Sequence, residues 1–236
     1  MKIRDLIRLY PKLYHMAAAG SWPSIRQHGL LSTSALVYLW QVSPPDVRNS
    51  LLGQRRGESV VIENAILGNA TIRDQKPIHE PSLREALVDM TPQEWYRELN
   101  SRVFFFLQEE RLSTLLNARS YRNDEHVVIT IDTASFLDAH SSEVELCQIN
   151  SGFAQRHSKA PRGRSTFLPI ENYKHRDRIQ PKSRSPWDVA ELCLPGQLLD
   201  VRTHLISADR RRRDEVIETL EVGASVKNLT IDRGSA

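Results

Sequence analysis

Apolar side chains recur along this chain in short segments that switch between helical and strand spacing. Residues 2–10 carry them at helical spacing, which predicts a short amphipathic helix that Pro11 ends. Further short helices are predicted where a capping residue precedes the pattern or a breaker follows it: residues 25–28 between Ser21 and Gly29, 35–41 after Ser34, one from Ser82 and Glu85, one from Thr91, Pro92 and Glu94 to about Asn100, and 109–118.

Short runs of β-branched, aromatic and other apolar residues predict strands at residues 13–17, 60–62, 70–72, 103–107, 126–132, 143–149 and 190–194. After Ser207, the apolar residues Val216, Ile217 and Leu220 predict a last helix at about 208–221. The strands and helices are interspersed without the regular alternation of a doubly wound sheet. This order predicts an α+β fold with largely antiparallel pairing, in one domain over residues 1–236.

The composition is that of a globular protein and narrows its setting. The chain has 236 residues, 40% of them hydrophobic, and a net charge of +3, which permits a nucleic-acid partner without requiring one. No run approaches the ~20 apolar residues of a membrane span, and charges interrupt the first residues, so we expect a cytoplasmic protein without a membrane partner. The sequons at Asn69 and Asn228 are then chance matches. Cys147 and Cys193 are too few for a disulfide scaffold and are expected to be buried thiols.

Several common catalytic motifs are absent from the sequence. It contains no GxGxxG, no GxxxxGK[ST], no HExxH and no GxSxG, which disfavours Rossmann-type dinucleotide binding, P-loop hydrolysis, zincin chemistry and α/β-hydrolase chemistry. The histidines are scattered, and no pair at metal spacing is backed by carboxylates. We therefore expect no metal.

Three short blocks hold the residues that could carry chemistry. In the first, a strand bearing His15 leads into a helix, then Gly29 and Leu30, and then the hydroxyls of Ser32 and Thr33. The second is RVFFF at residues 102–106, followed by a polar turn and a helix. The third is AELCL at residues 190–194.

Each block also has a plain structural interpretation. His15 suits a core or edge histidine of a strand, and Phe104 to Phe106 suit core rings. Glu191 is harder to explain, since an unpaired carboxylate buried among apolar neighbours is costly. An exposed position at a sheet edge is the alternative for Glu191.

In this order the blocks resemble those of ADP-ribosyltransferases of the diphtheria-toxin-like branch. The likeness is to DarT-type nucleic-acid-modifying toxins and to an uncharacterised bacterial relative of them. The chain departs from many relatives in having Phe104 where they have Tyr, which removes a hydroxyl and keeps the packing role. The resemblance implies two small, split antiparallel sheets around an NAD cleft, with short peripheral helices.

The resemblance also implies an activity and residue roles. The reaction is transfer of ADP-ribose from NAD, as substrate, to an acceptor, with release of nicotinamide. Glu191 is the implied catalytic carboxylate, which accepts a hydrogen bond from a ribose hydroxyl and stabilises oxocarbenium character. His15 would hold hydroxyls of the adenosine ribose, Phe104 would pack against nicotinamide, and Ser32 and Thr33 would contact the cofactor.

The acceptor expected from the resemblance is a nucleic-acid base of DNA or RNA, with protein acceptors left open. An antitoxin or a reversing hydrolase is a further partner that such toxins suggest, of unknown identity here. The related RNA 2′-phosphotransferase chemistry needs a set of basic residues around the phosphate that the sequence does not reveal. The alternative from another class is a non-catalytic nucleic-acid or NAD-metabolite binding module. The discriminating feature is whether Glu191 shares a cleft with His15.

Basic segments leave two interpretations open. Arg210 to Arg213 suit a solvated face of the last helix or a nucleic-acid contact. The loop at about 150–186 mixes Arg and Lys with Phe167 and Tyr173, which suits single-stranded nucleic acid or a surface loop. Arg55 and Arg56 precede a predicted strand, and DarT-type enzymes use an arginine in a comparable region.

Overall fold

The apolar runs pair into one large antiparallel sheet in the structure, a computed structural model that describes residues 1–157, 160–173 and 189–224. In spatial order its eight strands are Glu215–Val222 (β12), Leu205–Arg212 (β11), His126–Asp132 (β6), Lys12–Ala18 (β1), Arg102–Phe106 (β5), Glu191–Pro195 (β9), Glu145–Cys147 (β7) and Leu168–Pro169 (β8). Two ribbons flank it: Leu30–Leu31 (β2) with Gln197–Leu198 (β10), and Val60–Asn64 (β3) with Gly68–Ile72 (β4). All these pairings are antiparallel.

The large sheet is almost divided at its centre. Strand β1 pairs with β6 along its whole length, but it pairs with β5 only at Tyr14 and Phe106. Four strands lie on each side of this single pair. The C-terminal half of β1 and the N-terminal half of β5 therefore diverge, and a gap opens in the middle of the sheet.

Short helices surround the sheet. Among the described residues the α-helices have seven to nine residues each and lie at Ile3–Leu9 (α1), Trp22–His28 (α2), Thr33–Leu39 (α3), Pro45–Gly53 (α4), Glu80–Ala86 (α5), Pro92–Asn100 (α6), Glu109–Leu116 (α7) and Thr133–His140 (α8). The capping box of Thr91 and Glu94 at α6 is confirmed. The mixture of helices with antiparallel sheets confirms the α+β class.

Two predicted caps were placed wrongly. Ser32, not Ser34, caps α3, since its hydroxyl accepts from the backbone NH of Ala35. Ser82 lies inside α5 and bonds to the ring of His79, which precedes that helix.

The predicted C-terminal helix at 208–221 is wrong. Those residues form the hairpin of β11 and β12, which turns at Arg213, where φ is 53°. The spacing of Val216, Ile217 and Leu220 suits a helix, but β-branched residues also favour strands. Pairing of β11 with the buried β6 decides the outcome, because it buries Leu205 and Ala208 against the main core.

Helices α4 and α8 were missed by the sequence pattern. A capping signal was present for α8, because the Asp132 side chain accepts from the backbone NH of Ser135. Cys147 and Cys193 are buried free thiols, as expected. In the described part of the chain, no helix has the length and apolar character needed to cross a membrane.

Gly29 at the end of α2 offers a stability test of the turn that leads into β2. Its φ is +84°, and a Cβ there would lie 2.7 Å from the Cα of Leu199 and 2.8 Å from the carbonyl oxygen of Leu198. Gly29→Ala is expected to lower the free energy of unfolding by roughly 2–4 kcal/mol. Alanine disfavours the positive φ, and its Cβ would clash with backbone atoms of Leu198 and Leu199. Urea titration measures the loss.

Gly20→Ala is the matched control for that substitution. Gly20 also has a positive φ, +77°, but nothing lies within 4 Å of its added Cβ. Its cost is expected to be about 1 kcal/mol, from the backbone conformation alone. Equal losses in the two variants would contradict the close approach at Gly29.

Candidate functional site

A cavity of about 310 Å³ occupies the gap at the centre of the sheet. One wall is the diverging half of β1, from His15 to Ala18, and the facing wall is the diverging half of β5, from Arg102 to Phe104. The residues predicted for the site all line it: His15, Ser32, Thr33, Phe104 and Glu191. The structure thus brings together residues that lie far apart in the sequence.

The imidazole of His15 reaches across the opening between the two strands. Its Nδ1 lies 2.8 Å from the carbonyl oxygen of Phe104, which can only accept, so Nδ1 carries the proton. Burial lowers the pKa of His15 to about 4. The positive charge of Arg73 also lowers this pKa, whereas the hydrogen bond to Phe104 raises it. At neutral pH the ring is therefore neutral, and Nε2 is a hydrogen-bond acceptor.

Glu191 opens strand β9 and pairs in register with Phe106, which itself pairs with Tyr14. The side chain is 5% exposed. One carboxylate oxygen, Oε2, accepts from the hydroxyl of Ser151 at 2.6 Å and from its backbone NH at 3.0 Å. Among the residues that the structure describes, Oε1 has no hydrogen-bond partner. The carboxylate is thus held in one orientation with one oxygen available.

The acidity of Glu191 reflects opposing effects. Burial raises its pKa to about 6, against the two hydrogen bonds from Ser151 and the positive charges of Arg111 and Arg162. The carboxylate is mostly ionised at pH 7. The exposed sheet-edge interpretation of Glu191 is wrong, because the side chain is buried beside a cavity.

Two residues that support Glu191 were missed in the sequence. Ser151 is 1% exposed, and its carbonyl oxygen accepts from Nη1 of Arg162 at 3.0 Å. Arg162 is 2% exposed, and its Nε donates to the carbonyl of Ala160. They lie in the segment after β7, whose polar composition resembles an ordinary loop. No local pattern points to their contact with a residue of β9.

Phe104 and Phe106 share the cavity side of β5, whereas Phe105 is fully buried in the main core. This is the alternation expected of a strand. Phe104 is half-buried and packs against Phe167, with ring centroids 5.8 Å apart. Its ring therefore combines a core contact with a face toward the cavity.

The two predicted hydroxyls at α3 differ in availability. Ser32 is 2% exposed, and its hydroxyl oxygen accepts from Ala35 NH at 3.1 Å, so its main role in this structure is to cap α3. Thr33 is half-buried at the start of the helix and also lines the cavity.

Arg73 supplies a positive charge to the cavity wall that the sequence analysis did not single out. Its Nη1 donates to the carbonyl oxygen of Met16 at 3.1 Å, a group left unpaired where β1 leaves β5. The guanidinium also lies over the ring of Tyr121, 5.1 Å from its centre. Burial lowers the pKa of Arg73, against Tyr121 and the carboxylates of Asp74 and Asp124, which raise it.

Arg56 has a different environment, although it too lines the cavity. Its guanidinium donates to the carbonyls of Leu51 and Arg73 and to the side chain of Asn100. These bonds join α4, the end of β4 and α6. The guanidinium of Arg56 therefore supports the cavity wall. The neighbouring Arg55 donates to the carbonyls of Lys76 and Ile78.

Three of the four arginines of the hairpin are paired with carboxylates, and Arg213 donates to the carbonyl oxygen of Arg122. Arg210 pairs with Glu125 and Glu218, Arg211 with Asp209 and Glu109, and Arg212 with Glu125. They do not begin a helix, as the sequence suggested, and their pairing weakens the nucleic-acid interpretation of this run.

The aromatic residues of the predicted basic loop are buried. Phe167 stacks on Trp95 with ring centroids 5.7 Å apart, and Tyr173 belongs to the main core. These two rings are therefore not available for the stacking with nucleic-acid bases that the sequence had suggested. Residues 158–159 and 174–188 of that loop lie outside the described residues.

The raised pKa of Glu191 predicts a pH-dependent effect on stability. The folded pKa of about 6 exceeds the ordinary value of 4.5, so the fold favours the neutral acid and ionisation costs about 2 kcal/mol above pH 6. Glu191→Gln is therefore expected to raise the free energy of unfolding by about that amount at pH 7.5 and by little at pH 4.5. Urea titrations at both values measure this, and an equal change at both would contradict the buried charge.

Residues 11–205 match the model of one protein family, described as a family of unknown function (DUF7002). The matched segment extends from before β1 to the start of β11, so it contains His15, Phe104, Ser151 and Glu191. No curated protein matches the chain at a significant level.

Proposed function

Since the chain belongs to the DUF7002 family, whose members have no stated activity, we propose from its own cavity that it is an NAD-dependent ADP-ribosyltransferase. It moves ADP-ribose from NAD to an acceptor and releases nicotinamide. The observation that carries the proposal is the shared cavity: His15 on β1 and Glu191 on β9 both line it, together with the ring of Phe104. The neutral imidazole of His15 and the oriented carboxylate of Glu191 suit the hydroxyls of a ribose, and the ring of Phe104 suits the cationic nicotinamide.

In the proposed reaction the bond between the ribose C1′ and the nicotinamide nitrogen breaks. Its electron pair leaves with nicotinamide, which becomes neutral, and positive charge develops on the ribose. The ionised Glu191 stabilises this charge and accepts a hydrogen bond from a ribose hydroxyl through Oε1. A lone pair of the acceptor then bonds to C1′, and the acceptor loses a proton.

The remaining residues bind the rest of NAD in this proposal. The unprotonated Nε2 of His15 accepts a hydrogen bond from a hydroxyl of the adenosine ribose, and Arg73 pairs with the diphosphate. Phe104 packs against nicotinamide, where an aromatic face favours the cationic form. The hydroxyl of Thr33 is better placed to contact NAD than that of Ser32, which caps α3.

A nucleic-acid base is the proposed acceptor, because the three blocks resemble DarT-type enzymes. The test incubates the full chain with NAD labelled in its adenylate part, together with single-stranded DNA, RNA or protein. We expect labelled nucleic acid with the wild type and none with Glu191→Ala. Equal labelling by both would overturn the role of Glu191. NAD binding without nicotinamide release by the wild type would favour the non-catalytic module, and label on protein alone would overturn the acceptor class.

The acidic limb of the pH profile should report Glu191. Because the ionised carboxylate is required and its pKa is about 6, kcat/KM for nicotinamide release is expected to fall about tenfold for each pH unit below 6. His15 stays neutral over this range, since its pKa is about 4. Steady-state rates between about pH 5 and 8 test this, and an unchanged rate at pH 5 would contradict it.

A further inference from the structure

Two histidines and an aspartate converge at the side of the main core, outside the cavity. His140 is at the end of α8, Asp200 lies between β10 and β11, and His204 directly precedes β11. Nε2 of His140 is 3.0 Å and 3.1 Å from the two carboxylate oxygens of Asp200, and Nε2 of His204 is 3.2 Å from the second of them. The potential ligand atoms all lie within 4.8 Å of one another. Two imidazoles thus present the same nitrogen to one carboxylate.

The hydroxyl of Ser135 lies behind His204, 3.0 Å from its Nδ1 and 3.4 Å from the carbonyl oxygen of Asp132. It can therefore donate to Asp132 and accept from Nδ1, and in that tautomer Nε2 of His204 has only a lone pair. That lone pair lies 3.2 Å from a carboxylate oxygen of Asp200, an arrangement that a bound cation would stabilise.

On the other side of His140, Nδ1 lies 3.6 Å from the carboxylate of Glu143, a longer contact than the one behind His204. Metal-bound imidazoles in zinc sites usually donate their other ring NH to a carboxylate, a carbonyl or water. Tetrahedral Zn²⁺, with bonds of about 2.0–2.1 Å, separates its ligand atoms by roughly 3.3 Å. The separations between the imidazole nitrogens and the carboxylate are close to this value.

We propose that His140, Asp200 and His204 form a site for a single Zn²⁺ ion. Two imidazoles and a carboxylate are a donor set that suits zinc, and the exposed side of Asp200 leaves the fourth position to water. The ion would tie the end of α8 to the chain segment that leads into β11. This site departs from the expectation of no metal, which rested on spacing in sequence. It is independent of the proposed transferase activity, since none of its ligands lines the cavity.

The test measures Zn²⁺ binding by the full chain after treatment with a chelator. Isothermal titration is expected to give one saturable Zn²⁺ per chain, with Co²⁺ giving the intense visible absorption of a tetrahedral site and Mg²⁺ giving no binding. Asp200→Asn and His140→Gln, both at partly exposed positions, are expected to weaken Zn²⁺ binding by at least about tenfold. Thermal melting in the absence of metal checks that both variants fold.

His79→Gln is the matched control, because His79 is a half-buried histidine whose ring bonds to Ser82 away from the cluster. It is expected to bind Zn²⁺ as the wild type does. Wild-type protein without saturable Zn²⁺ binding would overturn the proposal and leave a proton as the bridging cation. Equal Zn²⁺ affinity in the wild type, Asp200→Asn and His140→Gln would overturn it as well.

Discussion

Glu191→Gln is expected to lower kcat for nicotinamide release from NAD by about 100- to 1000-fold. Gln has the same length and can still accept from both donors of Ser151 through its carbonyl oxygen. The variant therefore keeps the shape of the cavity and loses the negative charge that, in the proposed reaction, faces the developing charge on the ribose. Because that charge exists only in the transition state, the dissociation constant of NAD should change by less than about tenfold.

The matched control is Asp209→Asn on β11. Asp209 is as buried as Glu191, 5% exposed, but its partners are Ser207, Thr219 and Arg211, outside the cavity. Per mole of folded protein, the Asp209→Asn variant is expected to release nicotinamide at the wild-type rate. Undiminished release by Glu191→Gln would exclude Glu191 as the catalytic carboxylate. A loss in Asp209→Asn as large as in Glu191→Gln would show that any buried charge change inactivates the protein.

Local sequence signals predicted the strands that carry the candidate site. The apolar run around His15, the alternation of Phe104 to Phe106 and the short strand of Glu191 all depend on neighbouring residues, and the structure places them in β1, β5 and β9. The order of the three blocks led to the prediction of a shared cleft. The positions of His15, Phe104 and Glu191 on strands could therefore be predicted from the sequence.

The side chains that orient Glu191 and adjust its pKa could not be predicted from the sequence. Glu191 depends on Ser151, 40 positions away, and Ser151 depends in turn on buried Arg162. Arg73 enters the wall through the carbonyl of Met16, 57 positions away. Such contacts follow from the pairing of distant strands, and a single sequence has no periodic signal for them. The C-terminal hairpin was predicted as a helix for the same reason, since β6, the strand that it pairs with, lies far upstream.

The gap between β1 and β5 also explains why the site residues carry perturbed pKa values. Where two strands diverge, their unpaired carbonyls require donors from side chains. His15 satisfies Phe104 and Arg73 satisfies Met16 in this way. Each donor is thereby drawn into a poorly solvated position, which lowers both of their pKa values. The break in the sheet and the electrostatics of the cavity have one structural origin.

Arg56→Met is expected to lower the free energy of unfolding by about 3–5 kcal/mol, a large fraction of the stability of a domain. Arg56 is 9% exposed, and its donors satisfy the carbonyls of Leu51 and Arg73 and the side chain of Asn100. Methionine fills much of the volume but donates nothing, so three acceptors lose a charged donor at about 1–3 kcal/mol each. The Asn100 oxygen and the Leu51 carbonyl keep only longer contacts, from Gln75 and Asn100. Relief of the desolvated charge offsets part of this, since burial lowers the pKa of Arg56 to about 10.

The neighbouring Arg55→Met provides the control for this substitution. Arg55 is exposed and donates to two carbonyls, whereas buried Arg56 donates to three acceptors, so the loss of Arg55 is expected to cost less, about 1–2 kcal/mol. Urea titration of both variants gives the difference directly. Because Arg56 holds the backbone of Arg73, its loss should also weaken NAD binding in whatever fraction stays folded, whereas Arg55→Met should not. Equal destabilisation by the two substitutions would contradict the role of Arg56 as the link between α4, α6 and the cavity wall.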